Sequence, residues 1–108
     1  MSESHKYNSS VFPRRLKEAR IKAGLSQKRL GIEAGIDEFV ASTRINRYEK
    51  GIHQADEATA SLLARVLKVP LAYFYADDNS LANMIILFSK LTAEEQESIL
   101  MLMSDRLN

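Results

Sequence analysis

Cysteine is absent from the 108 residues of this chain, which removes disulfide scaffolds, thiol catalysis and cysteine-based zinc sites from consideration. The two histidines, His5 and His53, lie far apart and lack metal-ligand spacing. No metal and no cofactor are therefore expected. No apolar run comes near the ~20 residues of a membrane span. The polar opening MSESHKYNSS holds no apolar stretch of the kind a secretory signal needs. A membrane partner is thus not expected, and the expected place of action is the cytoplasm. The parts of an enzyme are missing too: there is no nucleophile–base set, no glycine-rich phosphate loop and no pair of carboxylates in an apolar setting. Asp77-Asp78 reads as a solvated joint. An enzyme is not expected.

What is present fits one globular domain, with 45% hydrophobic and 27% charged residues. The net charge of +1 hides an asymmetry. Residues 1–54 hold 11 Lys and Arg against 6 Asp and Glu, a net +5; residues 55–108 hold 4 against 8, a net −4. A basic half joined to an acidic half suggests that only the first faces a polyanion. Uneven solvated charge would look the same.

Helical signals recur along the chain, and no segment alternates in the manner of a strand. A first helix is expected from Pro13 to Ala23, with proline in its first turn and Gly24 as its stop. Phe12, Leu16, Ala19 and Ala23 form its apolar stripe; Arg14, Arg15, Lys17 and Lys22 form a basic surface. Ser26 can cap a short second helix, with Leu25 stapled onto Leu30, and Gly35 follows its end. Gly31, inside this helix, points to close approach of another helix. A third helix follows Asp37 and runs to Lys50, with Gly51 as its stop. A fourth opens at Asp56 or Glu57 and turns Leu62, Leu63, Val66 and Leu67 inward. A turn from Leu71 to Tyr75 adds Leu71 and Phe74 to the core. Two more helices follow, the first capped by Asn79 or Ser80, the second by a Thr92–Glu95 capping box.

The third helix has two unlike faces. Ala41, Ile45 and Tyr48 have the spacing of a buried stripe. On the other side lie Thr43, Asn46, Arg47 and Lys50, flanked by Ser42 and Arg44. Polar faces are usually just solvated. This one collects the side chains that bond base edges and phosphates, with Glu49 as its only nearby acid. Two short helices joined at Gly35 form a helix-turn-helix, whose second helix can enter a major groove.

At these residues a family resemblance enters. The stretch LKEARIKAGLSQKRLGIEAGI, then STRINRYEKG, then LLARVLKVPLAYFY resembles the lambda-repressor-like, Cro-type (Xre) helix-turn-helix family of bacterial and phage DNA-binding regulators, from Phe12 to Tyr75. The longer spelling GIDEFVASTRINRYEKGIHQAD, with the two-helix tail, is especially similar to controller proteins of restriction–modification systems. The resemblance implies that Gln27 contacts DNA, that Ser42, Thr43 and Arg47 fall on base-reading positions, and that Arg20 and Glu49 form an ion pair bracing the recognition helix. Lys28 and Lys50 are expected to meet phosphates, as is Gln27. Three departures stand out: about four extra residues within Asp37–Ser42, Ala55 where proline is frequent, and Lys68 where glycine is.

The fold expected is all-α: a lambda-repressor-like domain of about five helices over residues 12–76, after a flexible arm at 1–11 and before a two-helix extension at 80–107. Leu81, Met84, Ile85, Phe88, Ile99, Leu102 and Met103 are too apolar for terminal helices left in water. Some are expected to pack back on Tyr73 and Phe74, and the rest to form a homodimer interface. The expected partners are double-stranded DNA and a second copy of the chain, with RNA polymerase blocked or recruited at the bound site. The competing reading is an antitoxin-like module that neutralises a partner through its C-terminal half. RNA is a weaker candidate, because the aromatic residues are core-spaced and form no stacking platform.

Overall fold

Six α-helices and one 3₁₀ turn are the regular elements of the computed structural model, which describes residues 3–108, with side chains from Ser10 onward. In chain order they are α1 (Glu3–Lys22), α2 (Gln27–Glu33), α3 (Glu38–Glu49), α4 (Glu57–Leu67), the 3₁₀ turn Leu71–Tyr75, α5 (Asn79–Ser89) and α6 (Ala93–Leu107). Among the described residues no helix is long and apolar enough to cross a membrane.

The boundaries have local causes. Ser26, Asp56 and Thr92 each accept a hydrogen bond from the backbone N–H three residues on, and Asp37 from the one two residues on. The bond from the Thr59 N–H also holds the Asp56 carboxyl below its ordinary value. Thr92 and Glu95 complete the capping box in both directions. Gly35 (φ +94°) takes the left-handed conformation that turns the chain between α2 and α3. Lys68 adopts the same conformation after α4, at φ 58°. The position thus keeps the geometry suited to glycine while carrying a side chain, at a cost of roughly 1 kcal/mol.

One core joins these elements. Leu16, Leu30, Ile45, Leu63 and Phe74 are fully buried, one from each of α1 to α4 and one from the turn. Gly31 of α2 lies against α3, where a Cβ would come within 2.7 Å of the Ala41 Cβ. The tail divides in two. α5 packs back through Ala82, which is 2% exposed, with Ile85 and Ile86 against the core. α6 buries none of its residues.

Several expectations are corrected. The first helix begins at Glu3, not at Pro13, so the proline lies inside it; Met1 and Ser2 lie outside the described residues. Phe12 lies just ahead of the proline, within α1. Its ring packs on Phe74 and Tyr75 at centroid distances of 4.9 and 5.7 Å, which anchors the chain ahead of Pro13. Leu62 is exposed, not inward: Ala60, Leu63, Ala64 and Leu67 form the buried stripe of α4, and Leu62 sits one residue off it. Asp78, ahead of Asn79 and Ser80, caps α5.

Arg15 departs furthest from expectation. It is buried, 4% exposed, instead of contributing to a basic surface. Its guanidinium donates to the carbonyls of Ala76 (2.8 Å) and Asp77 (3.2 Å) and to Asn79 Oδ1 (3.0 Å), pairs with Glu18, and lies over the Tyr73 ring. Asp77-Asp78 is therefore a solvated joint only in its side chains. Its Asp77 carbonyl is clamped to α1.

Candidate nucleic-acid interface

Burial of Ala41, Ile45 and Tyr48 orients α3. With that stripe turned inward, Ser42, Thr43, Arg44, Arg47 and Lys50 are exposed and Asn46 is half-buried. None of Arg44, Arg47 and Lys50 pairs with an acid among the described residues. This outer face can therefore offer donors and positive charge to an incoming polyanion. Lys28 is likewise exposed, near the start of α2.

A polar network underlies the face. Arg20 of α1 donates from Nε to Glu49 Oε2 at 2.6 Å and from Nη2 to Oε1 at 3.1 Å, a bidentate grip. Its Nη1 donates to the Leu25 carbonyl at 2.9 Å, tying α1 to the entrance of α2. The Glu49 side chain is only 3% exposed. Gln27 Nε2 donates to Glu49 Oε1 (3.0 Å) and to Asn46 Oδ1 (3.2 Å). Since a carboxylate only accepts, the amide nitrogen of Gln27 must face inward, with both its hydrogens engaged. Gln27 Oε1 and the Asn46 amide nitrogen are the groups left to present outward. That alters the part expected of Gln27, because a phosphate offers only acceptors. To bond one, Gln27 must give up an internal hydrogen bond.

Two grooves flank α3. One, of about 420 Å³, is lined by Lys17, Arg20, Ser26, Gln27, Asn46, Glu49 and Lys50. It brings Lys17 of α1 beside Lys50, a proximity no local spacing reveals. The other, of about 480 Å³, sets His53 and Gln54 beside Val40, Thr43, Arg44 and Arg47. These two loop residues were not legible as site candidates, because the turn after Gly51 that brings them back along α3 has no sequence period. Phe39, in the first turn of α3, was also missed and is 90% exposed.

Among the candidate interface residues Leu81, Met84, Ile85, Phe88, Ile99, Leu102 and Met103, the structure half-buries Ile85 and Phe88 and leaves the other five exposed. Met84, Ile85, Phe88, Leu100 and Met103 line an almost wholly apolar groove of about 360 Å³ between α5 and α6. Gln96 spans the two helices by donating to the Phe88 carbonyl at 2.8 Å.

A short capped helix, a glycine turn and a second helix with its polar face outward, braced from behind, define a helix-turn-helix DNA-binding module. The chain belongs to the helix-turn-helix family, whose model matches residues 16–74, and is a DNA-binding regulator of that non-enzymatic class. It is similar to a solved structure described as the transcriptional regulator BswR, with 44% identity over 86% of this chain and 92% of that one and a TM-score of 0.80. No curated protein sequence matches the chain.

Proposed function

We propose that the protein acts in the cytoplasm as a homodimeric, sequence-specific transcriptional regulator on a near-palindromic operator. The observation that carries this reading is the outer face of α3, exposed from Ser42 to Lys50 and held by the Arg20–Glu49–Gln27–Asn46 network. In this reading Ser42, Thr43 and Arg47 meet base edges, with Arg44 and Asn46 beside them, and Lys28 and Lys50 meet phosphates. Gln27 contributes its outward Oε1 to a base amino group. Occupancy then blocks or recruits RNA polymerase.

The second copy is assigned to the tail. α6 leaves Leu100, Met101, Leu102 and Leu107 more than half exposed, and an isologous pairing of α5 and α6 would cover such a surface. It would set two recognition helices about one DNA turn apart, ~34 Å. A controller role in a restriction–modification system rests on the segment GIDEFVASTRINRYEKGIHQAD and predicts a bound site upstream of the protein's own gene.

Duplex binding by the full chain, followed by fluorescence anisotropy against salt, tests the first part. A salt-independent or undetectable interaction would remove the DNA-binding reading. Sedimentation of the full chain beside Leu102→Glu tests the second, because that residue is exposed and its replacement leaves the core untouched. A wild-type monomer at micromolar concentration would refute the dimer and favour a tail that captures a different protein.

A further inference from the structure

An aromatic ring stands at the N-terminal end of the polar face of α3. Phe39 is 90% exposed, the most exposed of the large hydrophobic residues among those described. Its position is in phase with the recognition face, since residues 39, 43, 46, 47 and 50 follow the i, i+4, i+7, i+8, i+11 pattern of one helical surface. Ala41, Ile45 and Tyr48 are buried on the opposite side. Asp37 fixes the local backbone: its Oδ1 accepts from the Phe39 N–H at 2.8 Å, so the direction in which the side chain leaves the helix is set by the cap. The residue also belongs to the extra segment within Asp37–Ser42, which, after the Asp37 cap, forms the first turn of α3.

A solitary exposed phenylalanine can be neutral, but this one would be desolvated by whatever α3 binds. A phenyl ring has no hydrogen-bond donor or acceptor for base edges or phosphates. Asp37 and Glu38 beside it also make this end of the helix unfavourable for a phosphate. The only apolar group that duplex DNA displays in the major groove is the C5-methyl of thymine. We propose that Phe39 is a specificity-determining residue that reads a thymine methyl at the edge of each half-site. The proposal rests on the reading of α3 as the recognition helix and adds a hydrophobic contact to its polar ones.

The test uses the full-length protein and the duplex it selects from random-sequence DNA. Each thymine of that duplex is replaced in turn by deoxyuridine, which deletes only the methyl group and keeps every base-pair hydrogen bond. Loss of one buried methyl contact should weaken binding about four-fold at a single thymine per half-site. In Phe39→Ala the same replacement should change affinity by less than about two-fold, while the salt slope stays as in the wild type. The melting temperature serves as the folding control, because the side chain is almost wholly outside the core.

Equal sensitivity to deoxyuridine in both proteins, or none in either, would overturn the thymine contact and leave the DNA-binding reading intact. Failure to select any duplex would overturn both. A changed sedimentation coefficient in Phe39→Ala would assign the ring to contact between copies, also against the proposal.

Discussion

Gly31 and Ala41 touch where α2 crosses α3: a Cβ added to Gly31 would meet the Ala41 Cβ at 2.7 Å and its Cα and carbonyl oxygen at 3.1 Å. Gly31→Ala should therefore destabilise the fold by about 1–3 kcal/mol through overpacking, in spite of the ~1 kcal/mol that alanine gains in helix propensity. Urea denaturation checks the sign. Adding Ala41→Gly should restore part of the loss, since it removes the Cβ clash but not the backbone contact.

Arg20→Ala strips both guanidinium bonds from a Glu49 carboxylate that is 3% exposed, leaving it only the Gln27 amide. The expected destabilisation is on the order of 3–5 kcal/mol. Arg20→Lys should recover only a fraction, because one ammonium cannot reproduce the fork. Replacing Arg20 and Glu49 together by apolar residues should cost less than Arg20→Ala alone, and chemical denaturation of the three variants orders them.

For Arg15→Ala the loss falls elsewhere. The carbonyl of Ala76 and the amide oxygen of Asn79 lose their donor while the carbonyl of Asp77 keeps only Arg14, and destabilisation of about 2–3 kcal/mol is expected from the stranded acceptors. Hydrogen exchange should show protection falling at the start of α5, with α2 and α3 less affected. Uniform loss along the chain would mean that the clamp is not local.

Arg47→Ala and Lys50→Ala should separate base reading from phosphate binding. Removal of Arg47 is expected to weaken the selected duplex by about 1–3 kcal/mol more than random DNA. Lys50→Ala should weaken both alike and lower the salt slope by about 1. Titrations at several salt concentrations read both effects, and a reversed pattern would exchange the two assignments.

Lys68→Gly should raise stability, because Lys68 sits at φ 58° with its side chain exposed. A gain of up to about 1 kcal/mol is expected, less the extra freedom glycine brings to the unfolded chain. A rise in the thermal midpoint is the readout.

Much of the architecture was legible because its signals are local. Ser26, Asp37 and Thr92 announce helix starts, Gly35 announces the turn, and Gly31 in a short apolar helix announces a close crossing. The two faces of α3 follow from a period of 3.6 residues. Arg15 was misread because its neighbours in the chain say nothing about its partners: it bonds main-chain carbonyls 61 and 62 residues away, and carbonyls carry no sequence signature. The inward orientation of Gln27 was hidden for a related reason, being imposed by Glu49 across the helix pair. Phe39 was open to detection, lying in phase with Thr43, but an aromatic residue near a helix start draws attention to packing before recognition.

Two guanidiniums on a single helix hold the two ends of the molecule. Arg20 grips α3, and Arg15, five residues earlier, grips the strap leading into α5. Helical geometry separates these grips by about 7.5 Å and about 140° of rotation. The offset between reading head and tail is therefore written in the pitch of α1, not in the length of a loop. One residue inserted between Arg15 and Arg20 would turn one grip by about 100° against the other. In a dimer joined through the tail, such an insertion would put the two heads out of step with the double helix, and it would also turn Leu16 or Ala19 out of the core.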